Sequence, residues 1–315
     1  MRKTKTIPFI ISIIIVLALI YFSDPYRIYI SILSANKVYI LLALFISVIN
    51  IFLRALKWKV ILGKSVGFFE LMPIQLFGMT ISSFTPGKIA EPAKAVLLKL
   101  RKGIPVSESL PTVIWERIND VLSTMLLSIV AIQAISIRSD ILLLGAASLV
   151  FFVVVISVVV LAMKSKKFGL RVFFILRKLP LMKYVSDDFV DRFYSIKTGK
   201  ISIIKSFVIT FVAWALEGAI LGVVLASMGV SINFILLAGV IALSILIGTA
   251  SSLQGGIGSS EFVMIVLLGI AGVGGAAAVS GVFLYRIVSF WFASVVGGAA
   301  FLYLSRKIDM KSFLK

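Results

Sequence analysis

Apolar and polar positions along this chain fall into long blocks, not into the short periods of a soluble fold. Apolar runs extend over Ile7 to Phe22, Val38 to Leu53, Val106 to Ile137, Ile141 to Met163, Ser206 to Val230 and Ala276 to Leu304. The shortest of these hold 16 residues, and such a run reaches about 24 Å as a helix, enough to span a bilayer with flanking help. Two pairs of shorter arms lie between them. Phe68 to Phe84 and Ile89 to Leu100 are joined by Thr85-Pro86-Gly87-Lys88, and Phe234 to Ala250 and Glu261 to Gly272 are joined across Leu253 to Gly258. Pro92 fits only in the first turn of a helix, so the returning arm of the first pair is expected to begin at Ile89 to Glu91. The pattern predicts an all-α polytopic membrane protein, one integral membrane domain over 1–315. Its parts are an anchor helix over 7–22, a first repeat over 38–137, a connecting span over 141–163, a linker over 164–205 and a second repeat over 206–304.

The two short-armed units match in chemistry as well as length. Each places a glutamate at the start of its second arm, Glu91 and Glu261, and an arginine follows at 26 residues (Arg117) and 25 residues (Arg286). Charge then orients the units. The second span is read as ending at Leu53 in a basic cluster, Arg54, Lys57, Lys59 and Lys64, which the positive-inside rule puts in the cytoplasm. Counted this way, 25 of the 32 Lys and Arg residues are cytoplasmic, as are both termini. The linker carries eleven Lys or Arg together with Asp187, Asp188 and Asp191, and reads as an amphipathic element on the inner leaflet of the plasma membrane. With these sides assigned, the first hairpin enters from inside and the second from outside. The halves are inverted repeats, each a span, a short or re-entrant helical hairpin and a span, a recurring construction of secondary transporters.

Composition narrows the chemistry. The chain is 60% hydrophobic and only 14% charged, far from the balance of a soluble domain. Its net charge of +19 lies between apolar runs, not on a folded polar face, so nucleic acid is not the expected partner. The chain has no cysteine and no histidine, which removes thiol nucleophiles, thiolate metal sites and the usual carriers of zinc and acid/base catalysis. No metal, cofactor or catalytic residue is expected.

Ionisable residues at membrane depth are costly and usually face a cavity or a partner. Glu217 lies near the middle of its span with no basic neighbour in sequence, and reads either as a structural neutral carboxyl or as a group that takes up and releases a proton. Glu116 and Asp120 share a helical face, and Arg117 reaches Asp120 at spacing three. Arg286 has no acid within a turn, so Glu261 is its first candidate partner. Glu91, Lys94, Glu116, Arg117, Asp120, Glu217, Glu261 and Arg286 are therefore the candidate translocation residues. The two turns that hold Pro86, Gly87, Gly255, Gly256 and Gly258 offer unpaired backbone N–H groups at a helix start, where an anion would bind. Alternatively Glu261 caps its own helix from three residues away.

The run PGKIAEPAKAVLL, then ER followed by Asp120, then GGIGSSE, then YR before Trp291 resembles the flippase-like membrane family, the lysylphosphatidylglycerol synthase transmembrane region, over roughly residues 38 to 304. The soluble aminoacyl-transferase domain that some members carry is not expected, since the sequence stops at Lys315. The resemblance implies flipping of a phosphate-bearing lipid, a phospholipid or an isoprenoid-linked carrier. A proton-coupled carrier of small polar solutes and a membrane enzyme acting on lipid headgroups are the alternatives. Membrane lipids with anionic headgroups are the expected partners, with a homo-oligomer or a separate lipid-modifying enzyme left open.

Overall fold

The structure, a computed structural model, describes residues 3–22, 24–63, 66–85, 88, 90–138, 142–176, 199–251 and 253–306. Every regular element among them is helical: α1 Lys3–Phe22, α2 Pro25–Leu33, α3 Lys37–Leu62, α4 Phe68–Ser83, α5 Ala93–Lys102, α6 Val106–Arg138, α7 Leu142–Lys164, α8 Lys166–Leu176, α9 Lys200–Ala226, α10 Phe234–Ala250, α11 Ser259–Ile270, α12 Gly275–Arg286 and α13 Phe292–Ser305. Among the described residues three helical stretches, Lys37–Leu62, Lys200–Ala226 and Gly275–Ser305, are long and apolar enough to cross a membrane. Large apolar side chains such as Leu41, Phe45, Val150, Val295 and Leu302 point outward, which suits lipid contact. The molecule is an all-α polytopic membrane protein.

Local chemistry sets the helix ends. Asn36 accepts the Val38 N–H at 2.9 Å to cap α3, and Asn233 accepts that of Ile235 at 2.8 Å to cap α10. Gly63, at φ 60°, closes α3, and Gly103, at φ 70°, closes α5 beyond Lys99, Arg101 and Lys102, cations that complement a helix C-terminus. Three boundaries differ from the sequence reading. No breaker interrupts α3 until Gly63, so it continues past Leu53 through Arg54 and Lys57. The first returning arm starts at Ala93, with Pro92 as its cap. The N-terminal apolar run is followed by a second helix, α2, at 85° to it. Residues 177–198 of the expected linker, Asp187, Asp188 and Asp191 included, lie outside the described residues, as do Pro86 and Gly87.

The packing repeats when the two halves are exchanged. α3 lies against α9, the first helix of one unit on the first of the other. α4 packs on α13 and, in exchange, α10 packs on α6. Within each unit the arms pack on each other, α4 on α5 and α10 on α11, and each second arm touches the next helix, α5 on α6 and α11 on α12. The hairpins share a register too. Gly78 stands 13 residues before Glu91, and Gly248 stands 13 before Glu261. A Cβ at Gly78 would lie 2.8 Å from the Lys94 side chain, and one at Gly248 would lie 2.9 Å from that of Ser260. Both glycines let the two arms of a hairpin close.

Candidate functional site

The hairpin tips meet at the centre of the molecule. Gly255, at φ 63° in the 3-10 turn Gln254–Gly256, sits so close to the Ser83 carbonyl that a Cβ there would come within 2.2 Å of the oxygen. Next to this contact lies an open cavity of about 960 Å³ including its mouth. Its wall includes Arg54 and Lys57 from α3, Lys88 from the first turn, Glu116 and Asp120 from α6, Glu217 from α9 and Arg286 from α12. A smaller cavity behind it is shared by Lys88, Gly255, Gly256 and Arg286.

The first half contributes an interlocked charge cluster. Lys57 Nζ lies 2.7 Å from both oxygens of Asp120 and 3.3 Å from Glu116. Lys94 pairs with Glu116, approaches Glu91 at 3.3 Å, donates to Gln75 Oε1 at 3.0 Å and stands 4.7 Å over the Trp58 ring. Gln75 in turn donates to Glu116 at 2.8 Å, and Trp214 Nε1 donates to Asp120 at 3.0 Å. Arg117 is held more loosely, 3.7 Å from Glu91 and 4.0 Å from Asp120. The oxygens of Glu91, Glu116 and Asp120 lie within 4.8 Å of one another, a spacing a cation could use. The ammonium groups of Lys57 and Lys94 already meet that charge.

Glu217 ties the two halves together. Its carboxylate accepts from Arg54 at 2.9 Å, Asn50 at 2.8 Å, Tyr285 at 2.8 Å and Ser289 at 2.9 Å. Arg54 also lies 4.8 Å over the Trp214 ring. Glu217, which has no basic neighbour in sequence, thus finds one across the fold in Arg54. The segment Ile287–Trp291 is π-helical, a rare geometry often found at functional sites. It begins directly after Arg286, and Tyr285 and Ser289 flank that point on the same carboxylate.

On the second half, Arg286 Nε meets Glu261 at 2.5 Å, as the repeated spacing predicts, while its fork reaches Ser260 and its carbon lies 5.0 Å over Phe290. The other Glu261 oxygen accepts the Gly258 N–H at 2.7 Å. The helix start is therefore capped by its own carboxylate, and the reading of Gly258 as a free anion donor is corrected. In the first turn the N–H groups of Lys88, Ala90 and Glu91 are likewise spent, on Thr85 and Lys88 oxygens.

Of the residues singled out from sequence, Glu91, Glu116, Arg117, Asp120, Glu217 and Arg286 line the main cavity. Lys94 is fully buried behind it, and Glu261 is buried behind Arg286. Gly255 and Gly256 form part of the smaller cavity. Arg54 and Lys57 were counted as cytoplasmic and are instead partners of Glu217 and Asp120. The signal was present: Asn50, Arg54 and Lys57, at spacings of four and three, share one face of α3. Tyr285, Ser289, Gln75 and Trp214 carried no comparable signal.

A helical membrane protein with a buried, charge-lined cavity assembled from two similar halves is the class these features define. The chain belongs to the lysylphosphatidylglycerol synthase TM region family, whose model matches residues 9–297. It is 26% identical to a UPF0104 membrane protein of Methanothermobacter thermautotrophicus, over 99% of this chain and 98% of that protein. A second UPF0104 membrane protein of that organism is 28% identical over 92% of this chain and 90% of its own length. One from Pyrococcus horikoshii is 26% identical over 93% and 95%.

Proposed function

We propose that this protein translocates an anionic, phosphate-bearing lipid between leaflets by alternating access to the central cavity, without chemically transforming it. The observation that carries the reading is the cavity wall, in which both halves present cations around one open space at membrane depth. Buried cations there are costly unless paired or used on an anion. Asn50 Oδ1 and Ser47 Oγ are buried on the same wall with no hydrogen-bond partner among the described residues, acceptors that suit the hydroxyls of a headgroup. α5 and α11, at 10 and 12 residues, reach only about 15 to 18 Å as helices, short of a bilayer core of about 30 Å. This supports re-entrant hairpins whose tips meet at the site; the plasma membrane and cytoplasmic termini rest on the charge asymmetry of the sequence.

The test is a reconstituted vesicle assay with fluorescent anionic phospholipid and an impermeant quencher. Translocation above the rate of protein-free vesicles is expected. Arg286→Lys should reduce it about tenfold or more, since one ammonium cannot hold Glu261 and Ser260 as the guanidinium fork does. Rates equal to protein-free vesicles, with transport of a small polar solute in their place, would replace the lipid reading by the solute-carrier one.

A further inference from the structure

Six cations and five carboxylates meet at the core of the molecule. Arg54 faces Glu217, Lys57 faces Asp120 and Glu116, Lys94 faces Glu116 and Glu91, Arg117 stands over Glu91 and Asp120, and Arg286 holds Glu261. The sixth cation is Lys88. It has no carboxylate at ion-pair distance among the described residues, yet it lines both cavities. Its backbone is left-handed, at φ 58°, a conformation that glycine takes freely and a residue with a Cβ does not. Arg117 lines the larger cavity together with Lys88. Arg117 is also the most loosely paired of the other five cations, so its fork has donors to spare.

We propose that Lys88 and Arg117 form an oxyanion subsite for a single negative charge, that of a phosphodiester, and that the cavity disfavours doubly charged phosphomonoesters. The count sets the charge: with all eleven groups ionised, one added negative charge brings this core to neutrality, and a second would stand uncompensated in low dielectric. A phosphodiester has one charge and two free oxygens, one for the Lys88 ammonium and one for the Arg117 fork. A phosphomonoester carries about −1.5 to −2 at neutral pH. The lipid source of that phosphodiester rests on the reading above; the subsite itself does not.

Native mass spectrometry of the full chain in detergent, titrated with phosphatidylglycerol, phosphatidic acid and soluble glycerophosphoglycerol, tests this. The protein should prefer phosphatidylglycerol to phosphatidic acid. Lys88→Gln should weaken phosphatidylglycerol binding about ten- to hundredfold, and Lys88→Arg should stay within about threefold of the parent. Lys88→Gly, which relieves the backbone, should lose the same affinity with no drop in Tm, a split that a purely structural lysine would not give. Glu91→Gln, which leaves a second positive charge, should shift preference towards phosphatidic acid. Glycerophosphoglycerol bound as tightly as the lipid would keep the subsite and overturn the lipid reading. Equal phosphatidylglycerol binding by the parent and Lys88→Gln would overturn the subsite and leave the lipid reading standing. A parent that binds no phosphodiester at all would overturn both.

Discussion

Glu217 shows how a single side chain is fixed by its surroundings. Asn50, Arg54, Tyr285 and Ser289 all direct donors at its carboxylate, so it joins the two halves. Removing one member of a buried pair strands the other and typically costs about 3 to 5 kcal/mol. Arg54→Gln and Glu217→Gln should each lower the melting temperature clearly, and the double variant should lose less than the two losses added together, because no charge is then left alone. Thermal unfolding of the four proteins in one detergent measures this, and strictly additive losses would mean that the pair does not couple. The parts of this site that sequence reveals are those that repeat. Glu91 with Arg117 and Glu261 with Arg286 stand out because the same spacing occurs twice. Arg54 and Lys57 are marked only by the helical face they share with Asn50, since a basic residue after an apolar run otherwise looks the same in sequence whether it leaves the bilayer or turns into the core.

Each hairpin closes over a glycine. Gly78 lets α4 approach Lys94 on α5, and Gly248 lets α10 approach Ser260 on α11. Gly78→Val and Gly248→Val should each force the arms apart, with a loss of about 1 to 3 kcal/mol from overpacking. Gly78→Val displaces the cation that neutralises Glu116 and Glu91. Gly248→Val displaces the Ser260 that Arg286 grips. Both should therefore impair lipid translocation beyond the loss of folded protein, measured per folded molecule in vesicles. A variant that translocates normally once corrected for folded fraction would mean that hairpin closure is not part of the site. Hairpin existence and approximate extent were legible from the paired arms. The cap of the second returning helix was legible too, since Glu261 stands three residues after Gly258 and bonds its N–H, whereas the start of the first at Ala93, with Pro92 as its cap, was not.

At the scale of the whole molecule, the exchange of packing partners, α4 on α13 for α10 on α6 about a central α3 and α9 pair, is what two related halves of opposite orientation would give. The sequence carried this arrangement through charge asymmetry and repeated spacing, although the true end of α3 at Leu62 moves two cations from the cytoplasmic count to the core. Opposite orientation is the claim on which alternating access rests in this account, because inverted halves open one cavity to either face by exchanging their conformations. The chain has no cysteine, so single cysteines report without background. In sealed, uniformly oriented vesicles, Lys102→Cys, after the first hairpin, and Ser231→Cys, before the second, should react with an impermeant maleimide from opposite sides, position 102 from the cytoplasmic face and position 231 from the other. Labelling of both positions from the same side would contradict the inverted arrangement, and with it the account of a single site shared between two faces.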